Sequence, residues 1–572
     1  MSVHSDIRLQ GGVPTLFAND VPLPGPAYVT YLPEREDYAS FAAMEHKLYS
    51  VCIYFASRPV NAAELCGPFM PGLYEKKGEP DFSIADREIE RILAACPDAL
   101  IFPRINVNLP RWWDEEHPGA CNDIGVDDHP VRPCPASPVW QETCKEFLRQ
   151  LIRHLEDGPY ADHILGYQIA GGQTEEWMAI DMNGNQGPAL REVFAEAHPG
   201  ENDPVKFREF AGEANAAAII GLTRLAKEEV RGRKVIGVFY GYTFETPWWQ
   251  SAHSSMGTLI REKSVDFFCS PFSYNHLRRP GMDLACMTVL DSVKLHGKLY
   301  FVEADIRTCQ TLPLPDSRPG ICEKPNYTGG VWAGPEDPQV NVWQLRLAFG
   351  RMLTHGHALW WFDMWGKWYD HPLLREEMAH YPGLAARSVQ DPDRRSVAEL
   401  VVFIDEKACA RSEYPMAEDP ARMIAYENRI PLGYAGVPYD VYDIRDFETV
   451  HTRYKAAVFL IPWATKAMTA AVGAWRASGR LSVLSDPDHP DLTPAEISAL
   501  CGEAGCHLYA APGDVLHASA HWVLLHAASA GEKTIRLTGV RTVTDCISGE
   551  SLRTDTLTFS AAEYETRLFR LD

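Results

Sequence analysis

The stretch Gly166–Trp177, GYQIAGGQTEEW, decides how the chain reads. A short apolar run (Tyr167, Ile169, Ala170) breaks at Gly171-Gly172 and at once presents Glu175-Glu176-Trp177. A buried strand that stops on glycines and hands a carboxylate to the next loop is how a barrel enzyme sets an acid at its catalytic face. Lys298–Glu303, KLYFVE, is a second apolar strand that also ends on a glutamate. Two carboxylates so placed suit acid/base and nucleophilic work on a glycosidic bond. A lone glutamate in such a loop is more often solvated than catalytic, so the weight falls on the flanking elements.

Outward from this stretch the chain alternates apolar strands with amphipathic helices. After an opening hairpin over residues 1–25, strands are expected at 27–31, 51–55, 100–106, 167–170, 235–240, 265–269, 299–303 and 358–362. Helical spacing lies between them, most clearly over 140–155, where Trp140, Cys144, Phe147, Leu148, Leu151 and Leu155 share one side. Eight continuous apolar runs with crossover helices predict a (β/α)8 barrel of parallel strands, placed at residues 1–390 with its hairpin. The loops after the third, fourth, sixth and eighth strands are long, and loops on that face carry function.

Gln390–Arg395 is a polar linker. A second α/β rhythm over 391–511 predicts a small open parallel sheet of flavodoxin or amidotransferase type. No GxGxxG motif follows any of its strands, so self-association is its expected role rather than nucleotide binding. Short strands alone over 512–572 predict a small antiparallel β domain.

At 572 residues the chain exceeds one core, and two to four domains are expected. A net charge of −23 repels a nucleic-acid backbone. No apolar stretch is long enough to span a membrane, and the N-terminus lacks a charged-then-apolar leader, so a cytoplasmic location is expected. The 14 cysteines include no CxxC pair, and Cys121, Cys134 and Cys144 match no zinc spacing, so neither metal nor cofactor is expected.

With eight strands assigned, the two glutamates follow the fourth strand and end the seventh. In this the sequence resembles the retaining glycoside hydrolases built on the (β/α)8 barrel. The three-part layout, together with Pro103–Trp113 (PRINVNLPRWW), resembles the family 42 β-galactosidases. The resemblance implies a retaining exo-β-glycosidase acting on a small oligosaccharide or glycoside, with β-mannoside or α-L-arabinopyranoside as alternative substrates, in a homo-oligomer (trimer or dimer). A non-catalytic sugar-binding barrel is the reading from another class. The usual Asn-Glu pair after the fourth strand is replaced by Thr174-Glu175-Glu176. A register taken from the glycines selects Glu175 as the acid/base, one taken from the aromatic selects Glu176, and the first is preferred. Glu303 becomes the nucleophile. The layout further implies that Tyr274, after the sixth strand, hydrogen-bonds the nucleophile, and that tryptophan at the eighth strand forms a sugar platform.

Candidate substrate contacts are Arg104 and Asn106 at the third strand, Trp113, Gln173, Tyr274, Trp360, Trp361 and Trp365 at the eighth strand, and Asp363 beside them. Asp305 and Arg307, just after Glu303, are expected either to orient a carboxylate or to staple the loop. His276, Arg278 and Arg279 are expected on a solvated loop at the rim.

Overall fold

A computed structural model describes residues 3–59, 66–124, 130–172, 174–178, 188–245, 253–323, 327–411 and 419–572. The chain begins with three antiparallel strands, β1 (Ser5–Gln10), β2 (Val13–Ala18) and β3 (Val21–Pro22). The barrel follows with β4 (Ala27–Val29), β5 (Leu48–Tyr54) and β6 (Leu100–Asn106). A hairpin of β7 (Cys121–Ile124) and β8 (Pro130–Pro133) interrupts it. The barrel then resumes with β9 (Gly166–Ala170), β10 (Val235–Phe239), β11 (Phe267–Pro271), β12 (Leu299–Ala304) and β13 (Ala358–Phe362). Every neighbouring pair is parallel and β13 closes on β4.

Side chains alternate along each strand, so residues two apart share a face. Phe102, Phe267, Phe301 and Trp360 meet inside the barrel with ring centroids 4.5–5.9 Å apart. Burying each such ring contributes about 2–3 kcal/mol. Gly237 makes this layer fit: a Cβ there would sit 2.1 Å from the Phe267 ring. The residues two steps along from Phe102 and Phe301 are Arg104 and Glu303, so the aromatic layer is the floor on which the polar layer stands.

The surrounding helices start where the sequence offers caps. Ser137 accepts from the Trp140 N–H before the helix Pro138–Asp157, and Asp337 accepts from Gln339 before Pro338–His355. The latter ends at Gly356 with φ of 68°, the left-handed turn glycine allows. It is buried nearly all round because the C-terminal sheet covers its outer side, leaving Leu524 3.1 Å from where a Gly350 Cβ would be.

The middle region holds β14 (Leu400–Ile404), β15 (Tyr439–Asp443), β16 (Ala456–Leu460) and β17 (Leu481–Ser485) in a parallel sheet of order β15-β14-β16-β17. It is locked to the barrel through Glu406, whose carboxylate accepts the backbone N–H of Met256 and Gly257 at 2.8 and 3.1 Å. The C-terminal sheet is antiparallel, in the order β18 (Val515–Ala518), β19 (Trp522–His526), β22 (Thr566–Leu571), β20 (Gly531–Asp545), β21 (Ser551–Ala561).

Several elements differ from the sequence reading, among them β5, which begins three residues early at Leu48, β11 and the C-terminal hairpin. β11 begins at Phe267, two residues late, because Asp266 turns its carboxylate to the Ile236 N–H and Lys227 at the mouth of the strand. The long β20–β21 hairpin read as short strands because apolar alternation is kept only around Ile535, Leu537 and Leu557, while residues 538–542 and 551–556 are largely exposed on both faces.

Candidate active site

Glu303 sits at the C-terminal end of β12, in register with Pro271 on β11 and Trp360 on β13. Arg104 reaches it from β6 across the barrel. Its Nη2 donates to Glu303 Oε1, its Nε donates to Gln168 Oε1 at 3.1 Å, and its Nη1 lies 3.9 Å from Glu175 Oε2. The guanidinium is fully buried between the Phe239 and Phe362 rings, at 5.2 and 5.4 Å. A buried cation must be paired, and Glu303 pairs it. Burial pushes the Glu303 carboxyl up to about 7 while Arg104 pulls it down.

The loop after β9 is sharply folded. Gly172, Thr174, Glu175 and Trp177 have φ between 55° and 70°, a conformation that costs non-glycine residues about 1 kcal/mol or more each. Several bonds hold it. The Trp177 N–H donates to Gly171 O at 2.7 Å and its indole to Ile169 O at 3.1 Å. Asn108 exchanges two bonds with Gly172 at 2.8 and 2.9 Å, and Asn215 donates to Trp177 O at 2.8 Å. A Cβ at Gly172 would lie 2.7 Å from Met178 O, so glycine is required there.

This fold points the two adjacent glutamates differently. Glu175 is 1% exposed, and neither of its oxygens is in a well-formed hydrogen bond among the described residues. Burial and the Glu303 charge raise its pKa well above the usual range, so it holds a proton. Glu176 is partly exposed. It accepts from Thr174 Oγ1 at 2.5 Å and from the Tyr274 hydroxyl at 3.3 Å, and Tyr274 is in turn 3.3 Å from Tyr242. Burial lifts it to about 7, and its hydroxyl donors oppose that rise. Below it, His253 accepts from the Gly241 and Tyr242 N–H groups and donates to the Glu176 carbonyl. Burial keeps this imidazole neutral by depressing its pKa to about 3.

The remaining candidates divide. Tyr274 reaches the site, yet its partner is Glu176 rather than the nucleophile position. Asn106 caps its own loop, accepting from the Asn108 N–H at 2.9 Å. Trp360 belongs to the barrel floor. Trp361, one residue on, faces outward and stacks on Tyr381 at 5.7 Å, as strand alternation requires. Trp113 is likewise in the outer layer, its indole donating to Thr143 at 3.0 Å. Asp363 is a loop staple and not a free sugar ligand: Tyr28 Oη, Lys367 N and Trp368 N all donate to it at 2.7–2.9 Å. Gln173 lies outside the described residues. Cys121, Cys134 and Cys144 occupy separate surroundings, beside Asp114, in a satellite apolar cluster, and against Val107 O.

Arg307 bonds Asp305 rather than Glu303, and Asp305 also accepts from Arg278, both at 2.5 Å. Arg278 is thereby fixed and largely buried, not part of a solvated rim. Trp365 stacks on Trp332 at 5.3 Å, and Trp332 covers Arg307 at 4.9 Å. The sequence offered no signal for Trp332, Tyr242 or His253, which lie in irregular loops without periodicity.

The sequence matches no family profile and no curated protein sequence. Solved structures do match. A β-galactosidase from Bacillus circulans sp. alkalophilus superposes with a TM-score of 0.59 at 12% identity, over 96% of this chain and 99% of that one. The chain shares the fold of this β-galactosidase. A catalytic mutant of a family 42 β-galactosidase from G. stearothermophilus gives a TM-score of 0.62 at 10% identity, over 96% of this chain and 98% of the other. A family 42 exo-carrageenase from Bacteroides ovatus gives 0.59 at 12% identity, over 100% of this chain and 86% of the other. The fold shared with these structures therefore extends over the barrel, the middle sheet and the C-terminal sheet together. Among the described residues, no helix is long and apolar enough to cross a membrane.

Proposed function

We propose that the protein is a retaining exo-β-glycosidase, β-galactosidase-like in substrate. The observation that carries this is one buried guanidinium, Arg104, holding Glu303 at the end of the seventh barrel strand with the Glu175 carboxyl of the fourth-strand loop 3.9 Å from it. Glu303 attacks the anomeric carbon and forms a glycosyl–enzyme ester. The acid/base protonates the departing glycosidic oxygen, then takes a proton from the water that cleaves the ester. Arg104 lowers the Glu303 carboxyl against its burial, while burial and the Glu303 charge raise Glu175 well above the usual range, so of these two Glu175 keeps the proton.

Glu176 fits the acid/base role best. It is the partly exposed member, and burial lifts its carboxyl to about 7 against the hydroxyl donors Thr174, Tyr242 and Tyr274. Glu175 is the second reading, supported by its approach to the guanidinium that also holds Glu303. Glu176→Ala and Glu175→Ala, assayed on a nitrophenyl β-galactoside with and without azide, decide between them, since azide rescues only the variant that lost the acid/base. Turnover across nitrophenyl β-galactoside, β-mannoside and α-L-arabinopyranoside tests the sugar. NMR of the first-formed anomer tests retention. No turnover of any of them, with sugar binding intact, favours a non-catalytic binding barrel. The middle region is proposed to pair subunits into a dimer or trimer, which light scattering measures directly.

A further inference from the structure

Beside the candidate catalytic centre lies a cavity of about 510 Å³, walled by the loops that follow β11 and β12 and by residues 330–335. Its chemistry is unlike the rest of the molecule. In a chain of net charge −23, its wall carries Arg278, Arg279 and Arg307 against the single carboxylate of Asp305. Arg278 is spent: it donates to Asp305 and to the carbonyls of Phe272 and Ser273 at 2.5–2.9 Å. Arg279 is exposed.

Arg307 is the informative residue. Its side chain is 4% exposed, and only Nη1 is used, donating to the Asp305 carbonyl and carboxylate at 2.6 and 2.5 Å. Nε and Nη2 have no hydrogen-bond partner among the described residues. Those two atoms form the edge of a guanidinium that grips a planar or tetrahedral oxyanion with two parallel bonds. The plane is fixed by Trp332 and Trp368, whose rings lie 4.9 and 5.2 Å from it. Leaving two buried donors unpaired costs stability that no protein contact returns. Asp305 Oδ1 is also buried and unpartnered, so an acceptor for a hydroxyl stands beside the donors for an anion. The cavity is close to the reaction centre, since Asp305 in its wall lies two residues beyond Glu303, directly after β12.

We infer that this cavity binds an oxyanion carried on the substrate sugar, a sulfate ester or a carboxylate, gripped by Arg307 with Asp305 taking an adjacent hydroxyl. The inference rests on the glycosidase reading only for the sugar's place in the barrel, so its test is made by binding alone. The full-length Glu303→Gln protein is titrated calorimetrically with galactose, galacturonate, galactose 6-sulfate and inorganic sulfate. Either charged sugar should bind roughly tenfold or more tighter than galactose and than inorganic sulfate, the weight of a charge-assisted pair. The tighter of the two charged sugars names the group, and the preference should shrink as salt is raised. Arg307→Gln should erase the preference, and Arg279→Gln, at an exposed position that does not threaten the fold, should lower it severalfold. Equal binding of the three sugars overturns the inference, as does inorganic sulfate binding as tightly as the charged sugars. Turnover of nitrophenyl glycosides by the unaltered protein is measured separately. Its absence would remove the glycosidase reading and leave the anion preference standing, and turnover without preference would do the reverse.

Discussion

Arg104→Met isolates the charge that the candidate centre depends on. Arg104 is fully buried and pairs with Glu303, whose carboxyl is already held near 7 by burial despite that pairing. Removing an opposite charge at contact distance raises a carboxyl by about 1–3 pH units, which takes Glu303 to roughly 8–10. At pH 6 the ionised fraction then falls from roughly a tenth to about a thousandth for a two-unit shift, so kcat/KM drops about 100-fold. Near pH 9 the loss contracts to about twofold, because Glu303 is then almost fully ionised in the parent and half-ionised in the variant. The assay is kcat/KM against pH on a nitrophenyl β-galactoside, with circular dichroism to confirm folding. The acidic limb should move up by about two units. A loss of the same factor at every pH refutes the reasoning, because it would mean that Arg104 serves substrate binding and leaves the nucleophile's charge alone.

Other outcomes follow from single contacts. Glu303→Gln should remove turnover by at least about a thousandfold while the fold persists, read by steady-state kinetics and thermal melting. Tyr274→Phe deletes a donor that lowers the Glu176 pKa, so the basic limb of the pH profile should move upward, by less than about one unit. Asp363→Asn sets an amide where three donors converge and should cost about 2 kcal/mol in urea unfolding, with KM disturbed through the Trp365–Trp368 loop. Glu406→Gln should lower the unfolding free energy measured in urea by a similar amount, about 2 kcal/mol, because it weakens the cap on the Met256 and Gly257 N–H groups and leaves Arg445 underpaired.

The barrel was legible because parallel buried strands are near-continuous apolar runs, and LIFPRIN and ALWWF announce themselves with their bounds intact. Glu303 was legible for the same reason, since a charge that closes an apolar strand stands out. Trp113, Trp361 and Asp363 were harder to place. Whether a side chain at a strand end faces in or out turns on a single step of alternation, and an aspartate's donors come from residues distant in the chain, as Tyr28 does for Asp363. The acid/base was ambiguous because its orientation depends on left-handed backbone at Thr174, Glu175 and Trp177, for which these residue types give no sign. Arg307 was visible as a charge but not as one with two idle donors, because its pairing with Asp305 and its stacking partner Trp332 are set by loops without pattern.

The left-handed run at 174–177 bears on how this protein would respond to selection. Thr174, Glu175 and Trp177 hold a backbone that glycine or asparagine would adopt at less cost, so together they forgo on the order of 3 kcal/mol. A campaign that scored heat tolerance alone would tend to relax this corner first and, in doing so, would discard the carboxylates and the indole that anchors them. Thermal screens of this chain therefore need a counter-screen for turnover, since here gains in melting temperature and losses of activity share the same few codons.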